Sequence, residues 1–509
     1  MMAAKNETIR NITLKDLLTG FVETEFLPEA EVSGIALDSR RVEQGYVFVA
    51  LEGDFDHGLV YAEAAIGRGA IAVLCDAQHD QYCQQILSRI MTRAVCVPVK
   101  DLQLKLGELA NKFYESPSEK LFVSGVTGTD GKTSVSHFIA QAMNAPEAPA
   151  ALIGTLGNGL INKLEESTHT TPDVFSVHSM VRQYLDGGAK SVAMEVSSHG
   201  LDQDRVQGLN FDAAVLTNLT RDHLDYHGDI ESYKKAKKKL FIENNDRTLV
   251  LNADDAFGSE IFSELKNQRT IWLYGLNEEQ VKQSKLYVHA INIANKPDGM
   301  SFMLVSSHGT AEINVGLIGE FNIYNVLACF CVLMQSGMNF NHAINRIVKL
   351  QTVPGRMEVI AEADKPTVVV DYAHTPEALS QALISVRKHV TGKIICVFGC
   401  GGDRDAGKRP LMAQVADNLS DLVIVTSDNP RNEDSAQIID EVTQGISNEL
   451  KLIVEEDRAK AIQQAISMAS LDDLVLIAGK GHEQYQIVAN KKFAFSDMQK
   501  ARESLEAYS

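Results

Sequence analysis

The chain has little of what marks secreted, membrane-spanning or thiolate-metal proteins. It carries seven cysteines in 509 residues, at positions 75, 83, 96, 329, 331, 396 and 400. The number is odd, no Cys-x-x-Cys pair occurs, and most of them sit in apolar runs. Neither a disulfide framework nor a zinc site is expected; they read as buried free thiols in a reducing compartment. The opening residues, Met1-Met-Ala-Ala-Lys-Asn-Glu-Thr8, lack the apolar core of a signal peptide. The longest wholly apolar stretch, residues 326–334, is far too short to span a bilayer. These absences lead us to expect a cytoplasmic protein without a membrane span. Positive charge is also scarce, 48 Lys and Arg against 67 Asp and Glu, for a net charge of −19. That balance argues against nonspecific binding to nucleic acid. There is no short-period repeat and no low-complexity tail.

What is present begins with an ordinary apolar content of 45%. The length suggests about three domains. The most informative run is Leu121-Phe-Val-Ser-Gly-Val-Thr-Gly-Thr-Asp-Gly-Lys-Thr133. An apolar strand enters a glycine-rich turn that opens a helix, with Lys132 and Thr133 at its mouth. Glycines let backbone N–H groups approach phosphate oxygens, and the helix N-terminus adds a favourable dipole. Lys132 reaches the terminal phosphates and Thr133 suits Mg²⁺. The strict pattern has glycine at position 126, where this chain has Val126; its glycines are Gly125, Gly128 and Gly131. The run predicts a nucleoside triphosphate site over Gly128, Thr129, Asp130, Gly131, Lys132, Thr133 and Ser134. An anionic ligand on an acidic protein requires local cations to outweigh the global field.

Strand-like runs at 45–51 and 70–74 surround one helical pattern in the first hundred residues. A helix-like stretch, 102–114, leads through Pro117 into the glycine-turn strand. Strands at 191–196, 213–216 and 248–251 then alternate with helices, which suggests βαβ units and a mainly parallel sheet. Near Pro354 another block begins, with apolar runs at 367–371, 393–398, 422–426, 452–455 and 474–478 separated by helical patterns. It reads as a second doubly wound α/β unit. Four polar segments follow its strands directly: 371–374, 399–404, 427–431 and 479–483. Open α/β sheets bind ligands at the carboxyl ends of strands, so four such segments predict a ligand-binding rim.

Six motifs together resemble the Mur ligase family, the ATP-dependent amino-acid-adding enzymes of peptidoglycan synthesis. They are Thr127-Gly-Thr-Asp-Gly-Lys-Thr133, Met194-Glu-Val-Ser-Ser-His-Gly200, Thr217-Asn-Leu-Thr-Arg-Asp-His-Leu-Asp-Tyr-His227, Gly319-Glu-Phe-Asn-Ile-Tyr-Asn325, Pro354-Gly-Arg-Met-Glu358 and Asp371-Tyr-Ala-His-Thr-Pro376. Their order and spacing span essentially the whole chain. The resemblance is strongest to the branch that adds meso-diaminopimelate to the D-glutamate γ-carboxyl of UDP-N-acetylmuramoyl-L-alanyl-D-glutamate. It implies a three-domain α/β protein: a UDP-substrate-binding domain at 1–102, a central ATP-binding domain at 103–351 with a mainly parallel sheet, and a Rossmann-like amino-acid-binding domain at 352–509. The partners implied are small molecules only (the UDP-dipeptide, the amino acid and ATP), with Mg²⁺ as cofactor and a monomer as the working state.

The resemblance also implies roles. Lys132 and the glycine-turn amides would hold the β and γ phosphates. Thr133 and Glu195 are hard oxygen ligands suited to one Mg²⁺. Glu195 ends an apolar strand, where a carboxylate is costly unless paired or metal-bound. His199 matches a second metal ligand; a hydrogen-bonded structural histidine is its other reading. In Tyr233-Lys-Lys-Ala-Lys-Lys-Lys-Leu240 a lysine run ordinarily means a solvated helix face. The family places a carbamylated lysine at the position of Lys237, and neighbouring cations favour the free amine that takes up CO₂. Asn252 and Asn325 would lie near the adenine, with Arg356 and Asp371 toward phosphate and ribose; Arg356 reads equally as a surface arginine at a hinge.

Substrate choice follows the same resemblance. Leu37, Ser39, Asp54, Phe55 and Asp56 match uridine contacts, although Asp56-His-Gly58 inverts the common order and turn chemistry also explains it. The dipeptide end matches His169, Thr170, Thr171, Ser197, Gln203 and Arg205, with His169 and Asp130 replacing commoner asparagines. Asp428, Asn429, Pro430 and Arg431 form the amino-acid reader, and a guanidinium at Arg431 grips a second carboxylate bidentately. Arg404, Gly479 and Glu483 complete that pocket, Glu483 as the partner of the distal ammonium. A turn-capping role is the other reading of Arg431. Three rivals remain: a lysine-adding ligase, which Arg431 disfavours; a folylpolyglutamate synthetase-like ligase, which lacks a UDP-sugar domain; and a nucleotide-gated binding protein that does no ligation.

Overall fold

Short runs of Val, Ile, Leu and Ala, bounded by glycine or polar residues, are too brief for helices and suit strands buried on both faces. The structure, a computed structural model, describes residues 12–53, 56–77, 81–167, 169–243, 247–489 and 491–508. The chain separates into two units, one drawn from residues 1–128, 143–215 and 220–248, the other from 129–142, 216–219 and 249–509.

The first unit holds a parallel sheet of strands Gly34–Ala36, Tyr46–Ala50, Ala72–Asp76 and Val95–Val99 in that order. It also holds a run of strands in which Ala150–Gly154, Ser191–Glu195 and Phe122–Thr127 lie side by side and parallel. The register sets Glu195 opposite Val126, one step before the glycine turn. A carboxylate therefore stands at the carboxyl edge where the glycine turn begins. The helix Leu106–Tyr114 arrives after a 3₁₀ turn, Leu102–Lys105, so the single predicted helix is two pieces.

The second unit contains the glycine-turn helix Lys132–Met143 and parallel strands Thr248–Asn252, Ile271–Gly275 and Leu286–Lys296, continued by the antiparallel strands Gly299–Ser306 and Gly309–Val315. The helix Phe321–Gln335 is apolar almost all round and accordingly buried. The same unit holds a six-stranded sheet in the order Glu358–Ile360, Thr367–Asp371, Leu474–Ala478, Ile394–Phe398, Leu422–Val425, Leu452–Val454. All its pairings are parallel except the first. Its strands alternate strictly: Val369 packs with Leu379, Leu383 and Met412 on one face, Val368 and Val370 with Ile462, Ile466 and Leu505 on the other. Period-two alternation sends successive side chains to opposite faces, so helices cover both sides. The loops after four of these strands gather at their carboxyl ends, and they are the four polar segments picked out in the sequence. No helix among the described residues is long and apolar enough to cross a membrane.

Candidate active site

Glu195 is 1% exposed, and its carboxylate is held rather than loose. Its Oε1 accepts the Thr155 backbone N–H at 2.8 Å and its Oε2 the Thr155 hydroxyl at 3.1 Å. Gly154 is required beside it, since a Cβ there would collide with the carboxylate. The Thr155 hydroxyl also meets that of Thr170 at 3.0 Å. Thr171 staples the next turn: its hydroxyl donates to the Glu195 carbonyl at 2.9 Å and accepts the Ser197 N–H at 3.0 Å. Arg205 donates to the Thr171 carbonyl at 2.8 Å and to Gln203 Oε1 at 2.6 Å, while Gln203 donates to the Tyr226 hydroxyl at 3.1 Å. Thr170, Thr171, Ser197, Gln203 and Arg205 thus form one connected network around Glu195. His169 stands exposed at its margin.

The lysine run is not a uniformly solvated face. In the helix Ile230–Ile242 the buried positions are Tyr233, Ala236, Lys237, Leu240 and Phe241, a helical stripe, and Lys237 lies on it. Lys234, Lys235, Lys238 and Lys239 fall off the stripe. Lys237 is 1% exposed; its Nζ donates to the Gly128 carbonyl at 2.8 Å and lies 4.5 Å from the centre of the Tyr233 ring. The phase of the helix was readable from the sequence, and it separates this lysine from its four neighbours. His199 packs against Tyr226 at 4.1 Å between ring centres and against His223 at 5.0 Å. Sequence reasoning overlooked Thr155, Tyr226 and His223. Thr155 had no signal, because its role arises from two strand ends meeting; the other two lie inside the motif ending at His227.

In the second unit the glycine turn is tied down by Thr217 and Asn218. Thr129 N–H donates to the Asn218 carbonyl at 2.9 Å, Asp130 N–H to Asn218 Oδ1 at 2.9 Å, and the Thr217 hydroxyl to the Asp130 carbonyl at 2.5 Å. Gly131 has φ +82°, and a Cβ on it would press on Asn325 Oδ1. Lys132 Nζ donates to the Thr129 carbonyl at 2.7 Å, folded back over its own loop. Beside the turn lies a cavity of about 290 Å³ lined by Asp130, Gly131, Thr217, Asn252, Tyr324 and Asn325 among others. Asn252 is a wall there, donating to the Thr217 carbonyl at 2.8 Å and accepting from Asp254 N–H at 3.1 Å. Asn325 is buttressed by Asn322 at 2.9 Å.

The rim of the six-stranded sheet is laced by charge. Asp371 accepts the N–H groups of Met357 and Ala373, each at 2.8 Å, and burial pushes its carboxyl above the usual range. Arg356 lies 5.1 Å over the Tyr372 ring, with its Nε buried and unpaired. Burial also raises the Asp428 carboxyl against the pull of Arg458 and Lys480. Arg431 adopts φ +52°, and its Nη1 donates to the Gly402 carbonyl at 2.6 Å. Gly401 and Gly402 are needed because the loop presses on Arg431 and on the Pro430 carbonyl. Asn429 donates to Glu483 Oε2 at 2.8 Å. A Cβ on Gly479 would meet Asp428 Oδ2 at 2.6 Å. Arg404 is exposed, against the Asp403 carbonyl at 3.4 Å. The rim therefore gathers Asp428, Asn429, Pro430, Arg431, Gly479 and Glu483, with Arg404 outside their hydrogen-bonded network.

In the first unit, Leu37 and Ser39 flank Asp38, which caps the turn Ser39–Arg41 and pairs with Arg40 at 2.8 Å. Asp56 accepts from the Tyr61 hydroxyl at 3.2 Å. The inverted Asp56-His-Gly58 order has a local reason: Gly58 donates to the Leu51 carbonyl at 2.6 Å, and a Cβ there would press on the strand backbone. Asp54 and Phe55 lie outside the described residues.

Among the described residues no three His, Cys, Asp or Glu side chains converge as a metal-holding group. Within the first unit the donor chemistry nonetheless suits a hard cation, through the buried carboxylate of Glu195. A carbamate on Lys237 would add oxygen donors and still keep one N–H for the Gly128 carbonyl.

Three family models match this chain: "Mur ligase family, catalytic domain" over residues 31–114, "Mur ligase middle domain" over 126–333 and "Mur ligase, glutamate ligase domain" over 355–481. A UDP-N-acetylmuramoyl-L-alanyl-D-glutamate--2,6-diaminopimelate ligase of Coxiella burnetii is 42% identical, covering 93% of this chain and 96% of its own. A protein of the same name from Chromobacterium violaceum is 43% identical over 94% and 95% of the two chains. A solved structure of a ligase of that name superposes with a TM-score of 0.75 at 35% identity, covering 98% of this chain and 99% of the other.

Proposed function

The chain belongs to the Mur ligase family, and from that premise we infer that it is an ATP-dependent ligase joining 2,6-diaminopimelate to UDP-N-acetylmuramoyl-L-alanyl-D-glutamate in peptidoglycan precursor synthesis. The observation that carries this reading is a likeness of 42% identity over 93% of the chain to a ligase of that name. The three matched segments support an assignment of substrate, nucleotide and amino-acid domains at 1–102, 103–351 and 352–509. The isomer used is meso; the γ-carboxyl of D-glutamate is the acyl donor and an amine of diaminopimelate the acceptor.

A carboxylate does not condense with an amine in water, because its carbonyl carbon is a poor electrophile. Transfer of the γ-phosphoryl group of ATP to a carboxylate oxygen gives an acyl phosphate and ADP. The neutral amine adds to the acyl carbon, the tetrahedral intermediate expels inorganic phosphate, and the amide remains. The protein aligns the reactants and offsets crowded negative charge. Lys132 and the backbone amides of residues 128–134 bind the phosphates. Thr217 and Asn218 keep that turn open by engaging its carbonyls and amides from outside. Asn252, Asn325, Arg356 and Asp371 bind the nucleoside side. Thr133, Glu195, His199 and a carbamylated Lys237 would hold Mg²⁺, which when bound neutralises phosphate charge.

Thr170, Thr171, Ser197, Gln203, Arg205 and His169 bind the dipeptide, and Leu37, Ser39, Asp54, Phe55 and Asp56 the uridine. Arg431 reads the far carboxylate of diaminopimelate, with Arg404, Asp428, Asn429, Pro430, Gly479 and Glu483 around it. A lysine substrate brings no anion to Arg431 and leaves it unpaired. Free thiols at all seven cysteines suit a reducing compartment, and we assign the reaction to the cytoplasm. The protein is expected to be a monomer, which light scattering checks. The test of function is phosphate release and product mass with the UDP-dipeptide, ATP and a panel of amino acids. Release must require both the dipeptide and diaminopimelate; ATP hydrolysis that needs neither would overturn the reading.

A further inference from the structure

Lys480 stands inside the amino-acid rim, yet nothing above gives it a role. It is 0% exposed. Burying an ammonium is costly unless it is paired and hydrogen-bonded. Its Nζ donates to Asn429 Oδ1 at 3.0 Å and to Glu483 Oε2 at 2.9 Å, with Asp428 Oδ1 at 3.9 Å. Asn429 Nδ2 in turn donates to the same Glu483 oxygen at 2.8 Å. Three side chains close a triangle.

The triangle has a direction. Asn429 Oδ1 also accepts the Ile487 N–H at 2.9 Å, which fixes the amide with its oxygen toward two donors and its nitrogen toward Glu483. Both triangle donors then fall on one oxygen of Glu483, Oε2, and Oε1 is left outside the triangle. A carboxylate gripped at one oxygen presents the other in a set direction. The contact also spans the sheet. Lys480 follows the strand Leu474–Ala478 and Asn429 follows Leu422–Val425, and the strand Ile394–Phe398 lies between them. One buried ammonium thus joins the loop bearing Glu483 to the loop bearing Arg431.

We propose that Lys480 is a positioning residue for the incoming amino acid: it orients Glu483 and Asn429, and through them sets the distance between the ammonium-facing carboxylate and Arg431. The proposal rests on the diaminopimelate-ligase reading. It goes beyond that reading by making a residue outside the substrate contacts a determinant of amino-acid affinity.

The experiment uses the full chain, steady-state kinetics with each of the three substrates varied, and thermal melting. Wild-type protein must first make product from diaminopimelate; if it does not, the parent reading fails before the proposal is reached. Lys480→Met is then expected to raise the KM for diaminopimelate at least tenfold, with the KM for ATP and for the UDP-dipeptide within twofold of wild type. A general structural role would move all three together. Removing Lys480 alone leaves the half-buried Glu483 without its cation, and that variant can fail to fold. The pair Glu483→Gln and Lys480→Met/Glu483→Gln then carries the test, because the double variant has lost both charges. If Lys480 acts through Glu483, the double variant has the diaminopimelate KM of Glu483→Gln to within threefold. Losses that multiply in the double variant, or an unchanged diaminopimelate KM in Lys480→Met, overturn the proposal.

Discussion

Two lysines, Lys237 and Lys480, are both buried to within 1% of full burial, in surroundings of different kinds. Lys480 is bonded to a carboxylate and an amide oxygen, with a second carboxylate nearby. Its carboxylate partners carry the opposite charge, which suits the positioning role proposed for it. Lys237 meets a backbone carbonyl and the face of a tyrosine ring. The carbonyl accepts an N–H, and the N–H of a carbamate satisfies it as well as an ammonium does. Burial alone therefore does not say what a lysine is for. The chemistry it can carry in its place does.

The comparison breaks most sharply through Lys237. Lys237→Ala should lower kcat by roughly 10³-fold or more with every amino acid offered, the scale on which catalytic electrostatics is lost, as measured by phosphate release. Restoration of activity by added short-chain carboxylic acids would identify the missing group as an anion. Rescue by alkylamines instead would place Lys237 with Lys480 as a simple cation. Arg431→Ala should be narrower. We expect roughly a 10²- to 10³-fold loss in kcat/KM for diaminopimelate, the size of a lost charge-assisted bidentate contact. The KM for the UDP-dipeptide should hold, and an equal rise in both would detach Arg431 from amino-acid recognition. Thr155→Val removes the hydroxyl from Glu195 Oε2 and keeps the backbone donor. Activity should fall about tenfold, the worth of one hydrogen bond to a charged group, and titration with Mg²⁺ should show a raised half-saturation.

The smallest effect is on stability. His178 is buried with Nε2 at 3.0 Å from the Gln207 carbonyl, and burial lowers its imidazole from 6.5 to about 4. The unfolded chain then binds the proton more readily, so the contribution is complete above pH 6.5 and drains away as pH falls toward 4. His178→Gln should flatten the melting temperature across that window by calorimetry, at the cost of a lower plateau at neutral pH. A slope unchanged from wild type would remove His178 from the acid response.

Much of this was legible in the chain. Apolar runs of four to six residues gave the parallel strands, as at Phe122–Thr127 and Ala213–Leu216, because only a strand buries so short a run on both faces. The four polar segments after strands of the last block came together at one edge, as parallel order requires. The exceptions have physical causes. A residue's phase on a helix shows only when the helix is drawn as a cylinder; the residues alone read the lysine run as a solvated face, and only the resemblance picked out Lys237. Thr155 has no pattern at all, since its hydroxyl matters only where a strand end meets Glu195. Lys480 sat inside a quoted motif, but its partner Asn429 lies 51 residues away in sequence.

Order along the chain determined the sequence of strands, the glycine turn with Lys132 at its mouth, and the family to which the chain belongs, because local periodicity and short motifs are properties of neighbours. Tertiary structure alone decided what the buried Lys237 meets, which oxygen of Glu483 is taken, and how the Asp428–Arg431 turn is held. Those outcomes depend on desolvation and on contacts between residues far apart in the chain, and neither quantity exists until the strands have been brought side by side.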